Sequence, residues 1–361
     1  MGKEVDIPPL RMVAWEVTRS CNLRCVHCRA SAQAGPYPGE LSTQEAMEVL
    51  EDVAAFAKPV VILTGGEPLL RPDVFEIAAR GSQLGLRMVM APNGTLLTPR
   101  VAVQLKDAGI QRVSISLDGA TPESHDSFRQ VPGAFAGALD GIEAAREVAL
   151  PFQINTTVTS RNLGELPAIM DLAVSLGAVA HHIFLLVPTG RGKEMADGAL
   201  SAERYEETLR WFCEQESKLP LQLKATCAPQ YQRITRQLRR SPQAKPSGGH
   251  PQGLDSVTRG CLAGWGFCFI SHRGEVQPCG YLERSCGNVR QQPLSEIWRS
   301  APVFTRLRDL GSYGGRCGRC EFKKVCGGCR ARAYEATGDY LSEEPLCTHV
   351  PRVQGECRVQ P

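Results

Sequence analysis

The sequence predicts an α/β fold: a partial (β/α)6 barrel followed by a cysteine-rich C-terminal domain. Between residues 12 and 226, short apolar runs alternate with segments of helical periodicity, which is the pattern of βαβ units and a parallel sheet. Six such units are too few to close an eight-stranded barrel, so we expect one side to stay open. Beyond residue 260 the composition changes, and nine of the 15 cysteines fall between residues 261 and 347.

The elements of the barrel can be assigned in chain order. A capping box formed by Ser42 and Glu45 starts the first helix, and Thr98 with Pro99 takes the N-cap and first-turn positions of a later one. The predicted strands cover residues 12–18, 60–63, 87–91, 112–117, 152–159 and 182–187. The predicted helices cover residues 42–57, 73–84, a segment from 98, 134–147, 165–176 and 201–218.

We divide the chain into a barrel (1–226), a linker or mobile segment (227–260) and a metal-organised domain (261–361). The stretch 236–258 is polar and rich in proline, glycine and serine, which favours a linker. Helical periodicity is weak beyond it, so we expect metal rather than a large apolar core to organise the last part.

Composition excludes several classes of protein. The net charge of +3 gives no electrostatic footprint for nucleic acid, and no stretch reaches the ~18 apolar residues of a membrane span. The first ten residues lack the apolar region of a signal peptide, which predicts a cytoplasmic protein. An odd number of cysteines in tight groups then indicates reduced thiols that hold metal rather than disulfides.

Three of these cysteines, Cys21, Cys25 and Cys28, follow the first predicted strand with the spacing C-x3-C-x2-C. A [4Fe–4S] cluster takes four ligands, so three cysteines leave one iron open, as in a catalytic rather than a structural site. The alternative is a zinc knuckle with His27 as the fourth ligand.

Further polar groups follow other strands. Residues 64–68 form a Thr-Gly-Gly-Glu-Pro turn in which Glu67 could accept hydrogen bonds from an ammonium group, and Asn93 ends the third strand. Ser116 and Asp118 end the fourth strand, where they could bind a ribose or simply cap a loop. Ligands of parallel α/β folds bind at the carboxyl ends of strands, so these groups should converge.

In combination, the cysteine triad, the Gly-Gly-Glu-Pro turn and the Ser-Leu-Asp strand end resemble the radical S-adenosylmethionine (SAM) enzymes over residues 12–226. The resemblance implies that the triad holds a [4Fe–4S] cluster which binds SAM, and that one electron releases a 5′-deoxyadenosyl radical. It also implies a salt bridge from Arg129 to the SAM carboxylate. The cofactor-binding residues implied are Gly65, Gly66, Glu67, Asn93, Ser116, Asp118 and Arg129.

The C-terminal cysteines resemble the SPASM domain, which adds auxiliary [4Fe–4S] clusters to many radical SAM enzymes. The pattern departs from the usual one because Cys326 and Cys329 are separated by two residues, not three. The resemblance implies one or two clusters, the first held by Cys317, Cys320, Cys326 and Cys347. The second would use Cys261, Cys279 and Cys329, with Cys268 as a possible fourth ligand.

A zinc ribbon built from the two C-x2-C pairs is the alternative for this region.

The remaining cysteines are assigned other roles. Cys213 and Cys227 are interpreted as buried apolar residues, Cys286 is ambiguous, and Cys357 is interpreted as a tail thiol.

Segments 12–20, 181–192, 224–229 and 266–272 further resemble the heme synthases of the siroheme-dependent pathway. This implies oxidative decarboxylation of two propionates of iron-coproporphyrin III to the vinyl groups of heme b. The alternatives are the related siroheme-derivative deacetylases and heme d1 maturation enzymes, a SPASM peptide maturase, or a non-catalytic zinc or heme-binding protein.

A tetra-anionic porphyrin needs cationic partners. Arg191 and Lys193 follow the sixth strand, and Lys224 lies in a last strand of the barrel. We predict that they bind the substrate together with His272. We further expect a monomer that receives electrons from a small electron-transfer protein and binds neither nucleic acid nor membrane.

Overall fold

The structure is a computed structural model that describes residues 7–195, 198–239 and 259–352. Within these ranges, ten strands form one sheet and twelve α-helices accompany it. The strands are β1 (Met12–Thr18), β2 (Val60–Gly65), β3 (Arg87–Met90), β4 (Val113–Ser116), β5 (Phe152–Val158), β6 (Ala180–Leu185), β7 (Gln222–Thr226), β8 (Phe267–Ile270), β9 (Glu275–Gln277) and β10 (Gly287–Asn288). The helices are α1 (Thr43–Phe56), α2 (Val74–Gln83), α3 (Pro99–Asp107), α4 (Pro122–Arg129), α5 (Ala134–Glu147), α6 (Leu166–Ser175), α7 (Ala202–Gln215), α8 (Gln230–Arg239), α9 (Leu294–Ser300), α10 (Pro302–Arg308), α11 (Gly315–Arg319) and α12 (Arg330–Thr337).

The sheet has the order β10-β9-β8-β1-β2-β3-β4-β5-β6-β7, and its strands from β8 to β7 are parallel. β9 and β10 extend it at one edge by antiparallel pairing. No pairing joins β7 to β10 among the described residues, so the barrel is open as predicted. The predicted α/β partial barrel is therefore confirmed; β7 is the last strand expected at Lys224, and β8 is added to the predicted strands.

The C-terminal region contributes directly to this sheet. β8 pairs in parallel with β1, and Trp15 lies opposite Ile270. Trp298 of α9 and Phe304 of α10 are buried in the same apolar core as these strands. The expectation that metal rather than an apolar core organises this region is wrong for residues 267–308, because its apolar side chains pack onto the barrel.

Alternation along the strands divides the molecule into a core and a cavity. Successive residues of a strand point to opposite faces of a sheet. One face packs against the helices and forms the main apolar core, with Val13, Trp15, Val61, Leu63, Met88, Met90, Val113, Ile115 and Ile154. The residues between them face the interior of the barrel, which is hollow.

The helix starts agree with the local sequence. Ser42 caps α1 by accepting a hydrogen bond from the Glu45 backbone N–H, and the Glu45 carboxylate accepts one from the Ser42 backbone N–H. Thr98 caps α3 in the same way through the N–H of Val101. None of the described helices is long and apolar enough to cross a membrane.

The segment predicted as a linker is in part a helix. Residues 230–239 form α8 because Tyr231 and Ile234, three positions apart, pack with Leu238 against Phe212 of α7. The expectation of a linker is wrong for these residues, and residues 240–258 lie outside the described ranges.

Candidate active site

The barrel encloses a cavity of about 630 Å³, a size usual for small-molecule sites. Its walls differ in chemistry. We call the inward residues of β8, β1 and β2 the apolar wall: Met12, Ala14, Val60, Ile62, Phe267 and Phe269. We call the polar side chains of β3–β7 and of the residue before β4 the polar wall: Arg87, Arg112, Ser114, Ser116, Gln153, Asn155, Thr157, His182, Gln222, Lys224 and Thr226.

The predicted cysteine triad lies in the loop after β1 and borders this cavity. Two sulfurs accept hydrogen bonds from nearby backbone N–H groups: Cys21 from Leu23 and Cys28 from Ala32, each at 3.4 Å. Cys25 Sγ lies 3.5 Å from Arg129 Nη1. Backbone donors and a guanidinium stabilise sulfur that carries negative charge, as metal-bound thiolate does.

Burial opposes ionisation of these thiols in the absence of a cation. It raises the pKa of the Cys21 thiol to about 12 and also raises the pKa of Cys25, against the lowering effect of the Arg129 charge. Thiols in such a site become thiolates when a metal supplies the positive charge. The donor set therefore fits an iron–sulfur cluster.

The Gly-Gly-Glu-Pro turn lies beside the triad because its glycines allow close approach of two backbones. Gly65 has φ 143°, and a Cβ there would collide with the Thr18 carbonyl oxygen. A Cβ on Gly66 would collide with the carbonyl oxygen of Ser20. Both glycines border the cavity, where their backbone can face a ligand.

Glu67 of the same turn does not border the cavity. Its carboxylate accepts hydrogen bonds from the backbone N–H groups of Leu69 (3.0 Å) and Asn93 (2.6 Å). Burial raises its pKa to about 7, while these two hydrogen bonds lower it. The structure thus places Glu67 as a tie between the turn and the loop after β3, whereas Asn93 itself borders the cavity.

Ser116 and Asp118, predicted together, lie in different surroundings. Ser116 faces the cavity. Asp118 is fully buried: Oδ1 accepts a hydrogen bond from the Thr157 N–H at 2.7 Å, and Oδ2 lies 2.6 Å from Arg129 Nη2. Burial raises the pKa of Asp118, but the charges of Arg129, His27 and His125 and the Thr157 hydrogen bond together lower it more, so the net pKa is lowered. Asp118 therefore holds Arg129 against Cys25.

His27, the alternative zinc ligand, also faces this carboxylate. Its Nε2 lies 3.5 Å from Asp118 Oδ2, and burial lowers its pKa to about 4, so the ring is neutral near pH 7. Among the described residues, the one group of three potential ligand atoms within 4.8 Å is Cys320, Glu321 and His349. Sulfurs around one tetrahedral zinc ion would lie about 3.8 Å apart. Within the described ranges, no three sulfurs of a predicted cysteine set lie within 4.8 Å of one another, which favours clusters over single zinc ions.

The two auxiliary sets occupy separate places. The first set borders a small second cavity, where Cys317 Sγ accepts a hydrogen bond from the Glu344 N–H at 3.4 Å and lies 3.5 Å from Arg330 Nη2. Its members are Cys317, Cys320, Cys326 and Cys347. The second set, Cys261, Cys279 and Cys329, borders the main cavity.

One prediction about a single cysteine fails in this region. Cys268, the possible fourth ligand of the second set, lies on the outward face of β8, fully buried in the apolar core. Strand alternation is the reason, because its neighbours Phe267 and Phe269 face inward. Cys227, interpreted as a buried apolar residue, is partly buried against an apolar cluster that includes Val187 and Leu282, and it also borders the main cavity.

The four predicted substrate residues are dispersed. Lys224 belongs to the polar wall. Arg191 borders the cavity but donates to the carbonyl oxygens of Cys25 (2.8 Å) and Ala32 (2.7 Å), so it fixes the cysteine loop. Lys193 does not border the cavity; its side chain is 60% exposed and pairs with Glu335 at 3.0 Å.

His272 also lies outside the cavity lining and belongs to a buried network around Glu16 of β1. Its Nδ1 lies 2.7 Å from Glu16 Oε1, while Arg19 Nε donates to that oxygen at 2.9 Å and Arg29 Nη2 donates to Oε2 at 2.5 Å. Burial would raise the pKa of Glu16, but the His272 hydrogen bond and the two arginine charges lower it to about 2. This network joins the cysteine loop to the C-terminal region.

Sequence reasoning missed the polar wall. Arg112 Nη1 lies 3.4 Å from Gln153 Oε1, and Gln153 Nε2 lies 3.0 Å from His182 Nδ1, so a chain of polar groups crosses β4, β5 and β6. Arg87 starts β3, and its buried Nε has no hydrogen-bond partner among the described residues. The available signal was polar residues at every second position of strands predicted to be buried.

Comparison with known proteins gives consistent matches. Residues 15–173 match the radical SAM superfamily, and residues 261–330 match SPASM, an iron–sulfur cluster-binding domain. An AdoMet-dependent heme synthase from Nitratidesulfovibrio vulgaris is 52% identical over 97% of this chain and 95% of its own length. A Fe-coproporphyrin III synthase from Methanosarcina barkeri is 33% identical over 93% of this chain and 87% of its own length.

The fold matches as well. The crystal structure of SuiB from Streptococcus suis bound to S-adenosylmethionine superposes with a TM-score of 0.73. The two sequences are 15% identical, and the match covers 95% of this chain and 78% of that one.

Proposed function

The chain belongs to the radical SAM superfamily and carries a SPASM iron–sulfur domain, and from this premise we propose that it is a heme synthase. The proposed reaction is oxidative decarboxylation of two propionates of iron-coproporphyrin III to vinyl groups. The observation that carries the proposal is the charge of the main cavity, which is bordered by cations and by no carboxylate among the described residues. These cations are Arg29, Arg87, Arg112, Arg129, Arg191, Lys224 and Arg330.

As a radical SAM enzyme, the chain uses SAM and [4Fe–4S] clusters. SAM bound at the first cluster supplies the 5′-deoxyadenosyl radical that removes hydrogen from the substrate. We propose that Cys21, Cys25 and Cys28 hold that cluster. We propose that SAM lies against the cavity-facing members of the predicted set, namely Gly65, Gly66, Asn93, Ser116 and Arg129, whereas Glu67 and Asp118 position their neighbours.

The cations divide into two groups by their position in the fold. Four lie beside the predicted cysteine ligands: Arg29 follows Cys28, Arg129 and Arg191 contact Cys25, and Arg330 contacts Cys317. The other three, Arg87, Arg112 and Lys224, belong to the polar wall. Because charged hydrogen bonds to carboxylates are strong, we assign these three to the propionates.

The opposite wall supports the same substrate class. An iron-coproporphyrin combines an apolar macrocycle with anionic arms, and the cavity combines an apolar wall with a cationic one. Aromatic Phe267 and Phe269 on the apolar wall offer flat surfaces for a ring system. We therefore place the macrocycle against the apolar wall and direct propionates toward the polar wall.

The reaction leaves an electron that must be removed. Loss of a hydrogen atom from the propionate carbon next to the ring, followed by loss of CO2, forms the vinyl group and releases one electron per side chain. Cys261, Cys279 and Cys329 border the same cavity as the SAM-binding triad, so we propose that an auxiliary cluster there accepts this electron. We further propose a small electron-transfer protein as the reductant that starts each turnover.

The test is anaerobic reconstitution of the full chain with SAM, a reductant and iron-coproporphyrin III, followed by mass analysis. We expect loss of CO2 and two hydrogens at each of two propionates, with two molecules of 5′-deoxyadenosine formed. A Cys25→Ala variant should form neither product, which excludes background chemistry.

Formation of 5′-deoxyadenosine with no change in the porphyrin would reject the substrate and keep the superfamily assignment. A parallel titration of iron-coproporphyrin III by visible absorption, without reductant, separates failure to bind from failure to react.

A further inference from the structure

His182 of β6 borders the main cavity but is not among the cations assigned to the propionates. Its ring nitrogen Nδ1 lies 3.0 Å from Gln153 Nε2, whereas its other nitrogen, Nε2, has no hydrogen-bond partner among the described residues. The adjacent His181 differs, because strand alternation turns it outward, where its ring packs near Phe212 and its Nε2 lies 2.8 Å from Thr156 Oγ1. His182 therefore has one nitrogen left for a ligand in the cavity.

The partners of Gln153 determine which nitrogen of His182 carries the proton. Arg112 can only donate, and its Nη1 lies 3.4 Å from Gln153 Oε1, so the other end of that amide is the NH2 group. This NH2 group donates to Asn155 Oδ1 at 3.0 Å and to His182 Nδ1, which must therefore accept. A neutral imidazole carries its proton on one nitrogen, here Nε2. His182 thus presents a hydrogen-bond donor and not a lone pair for iron.

The ring of His182 is also neutral. Burial is the largest cause that lowers the pKa of His182 well below 6.5, and the positive charges of Lys224 and Arg112 lower it further. These cations attract a carboxylate from any direction, whereas a neutral N–H binds one oxygen along a preferred line. His182 therefore adds direction to a part of the cavity that already carries positive charge.

The register of the sheet places His182 at the same level as the proposed SAM site. Ser116 lies opposite Asn155, Asn155 opposite His182, and His182 opposite Lys224, so the four form one row across β4–β7. Adjacent strands are ~4.8 Å apart, so His182 lies roughly 10 Å from Ser116, which is a proposed SAM contact. Arg87, in contrast, begins β3 at the other end of the sheet. A propionate at this row is therefore the one that meets the radical.

We propose that the Nε2–H of His182 donates a hydrogen bond to the carboxylate of the propionate that is being decarboxylated, and that Gln153 positions the ring for this role. This inference rests on the proposed function and adds a substrate-contacting residue to it. Lys224 supplies charge beside this carboxylate and His182 fixes its direction, while Arg87 and Arg112 hold propionates that are not reacting. The fixed carboxylate keeps the carbon next to the ring within reach of the radical.

The coupling between SAM cleavage and product formation tests this inference. In the reconstituted full chain with SAM, reductant and iron-coproporphyrin III, each 5′-deoxyadenosine should accompany one vinyl group. His182→Leu should bind the porphyrin within about tenfold of the wild type, because it loses one neutral hydrogen bond. Vinyl formation per 5′-deoxyadenosine should fall at least about tenfold, because a misplaced propionate no longer meets the radical.

Two amide variants distinguish the ring nitrogens. The amide of glutamine reaches the position of Nε2, so His182→Gln should keep most of the coupling, whereas the shorter His182→Asn should resemble His182→Leu. His181→Gln is the matched control, because the adjacent histidine faces away from the cavity, and it should equal the wild type. Cleavage of SAM without porphyrin shows that each variant is folded.

Full coupling in His182→Leu would overturn the inference, as would equal losses in His182→Gln and His182→Leu or in His181→Gln. A change in the iron-ligand absorption bands of the bound porphyrin in His182→Leu would also overturn it, because Nε2 would then be an iron ligand. A wild-type chain that binds the porphyrin but forms no vinyl group would instead reject the proposed function itself.

Discussion

The apolar and polar walls of the cavity are built from the same alternating strand pattern, but they carry side chains of opposite polarity. Ala14 and Ile62 on the apolar wall could equally belong to a packed core, whereas a charged group such as Arg112 in a row of polar side chains is rare in a packed core. The polar wall therefore marks the interior as a binding site. Only the polar wall therefore distinguishes a hollow barrel from a barrel that is filled by a packed core.

Reversing a charge on the polar wall should have the largest effect. Arg112→Glu replaces an attraction for propionate by a repulsion, and we expect binding of iron-coproporphyrin III to weaken at least about 100-fold. SAM cleavage without porphyrin should be unchanged. Absorption titration measures the first quantity and 5′-deoxyadenosine formation the second.

Arg80→Glu is the matched control, because Arg80 is an exposed arginine of α2 that pairs with Glu51 outside the barrel. Equal losses in both variants would mean that overall charge, not the polar wall, determines affinity.

Glu16 of β1, two residues after Ala14 of the apolar wall, should contribute to the free energy of unfolding. Because its pKa is lowered from 4.5 to about 2, Glu16→Gln should cost about 3 kcal/mol of unfolding free energy. Because the pKa of Glu16 is lower in the folded state, its carboxylate stabilises the fold at pH values above the unfolded-state pKa. This stabilisation is lost only as the pH falls from 4.5 toward 2. Denaturant unfolding of the reconstituted chain at pH 8, 6.5 and 5 should thus give one constant difference. A difference that varies across this range would show that Glu16 is not the titrating group.

Removing one polar-wall charge without reversing it should have a smaller effect. Arg87→Ala loses a charged hydrogen bond worth about 1.5–3 kcal/mol, which corresponds to porphyrin binding weakened about 10- to 100-fold. Arg87→Lys, which keeps a positive charge, should retain part of the porphyrin affinity that Arg87→Ala loses. If Arg87→Ala binds as tightly as wild type, the propionates lie elsewhere on the polar wall.

Each residue of the apolar wall should contribute less to porphyrin affinity than a cation of the polar wall. Ile62→Ala removes partly buried methyl and methylene groups, and we expect about fivefold weaker porphyrin binding, with Ile62→Val near the wild type. A loss as large as that of Arg87→Ala would contradict the division of roles between the two walls.

The smallest effect is expected outside the cavity. Lys193 forms an exposed pair with Glu335, and such pairs contribute little. Lys193→Ala should change porphyrin affinity by less than about twofold. A larger change in the same titration would place Lys193 in the site after all.

The sequence predicted those parts of the site that are local in the chain. The cysteine triad and the Gly65-Gly66 turn are short motifs, and the Ser42 capping box is fixed by residues three apart. The polar wall and the position of Cys227 depend on contacts between distant strands. No local pattern shows that Cys227 borders the main cavity, because the hydrogen bonds that its carbonyl oxygen accepts come from the distant Tyr205 and Arg332.

The pairing of β8 with β1 has a consequence for how the protein is made. Met12 leaves the ribosome early, but its neighbour Phe267 is translated only after the whole barrel. Until then one edge of β1 has no partner, and pairings this distant in sequence are slow to form. The emerging barrel therefore exposes a strand edge and its cysteine loop during most of synthesis. Delivery of iron and sulfide to the chain in the cell should accordingly follow translation rather than accompany it.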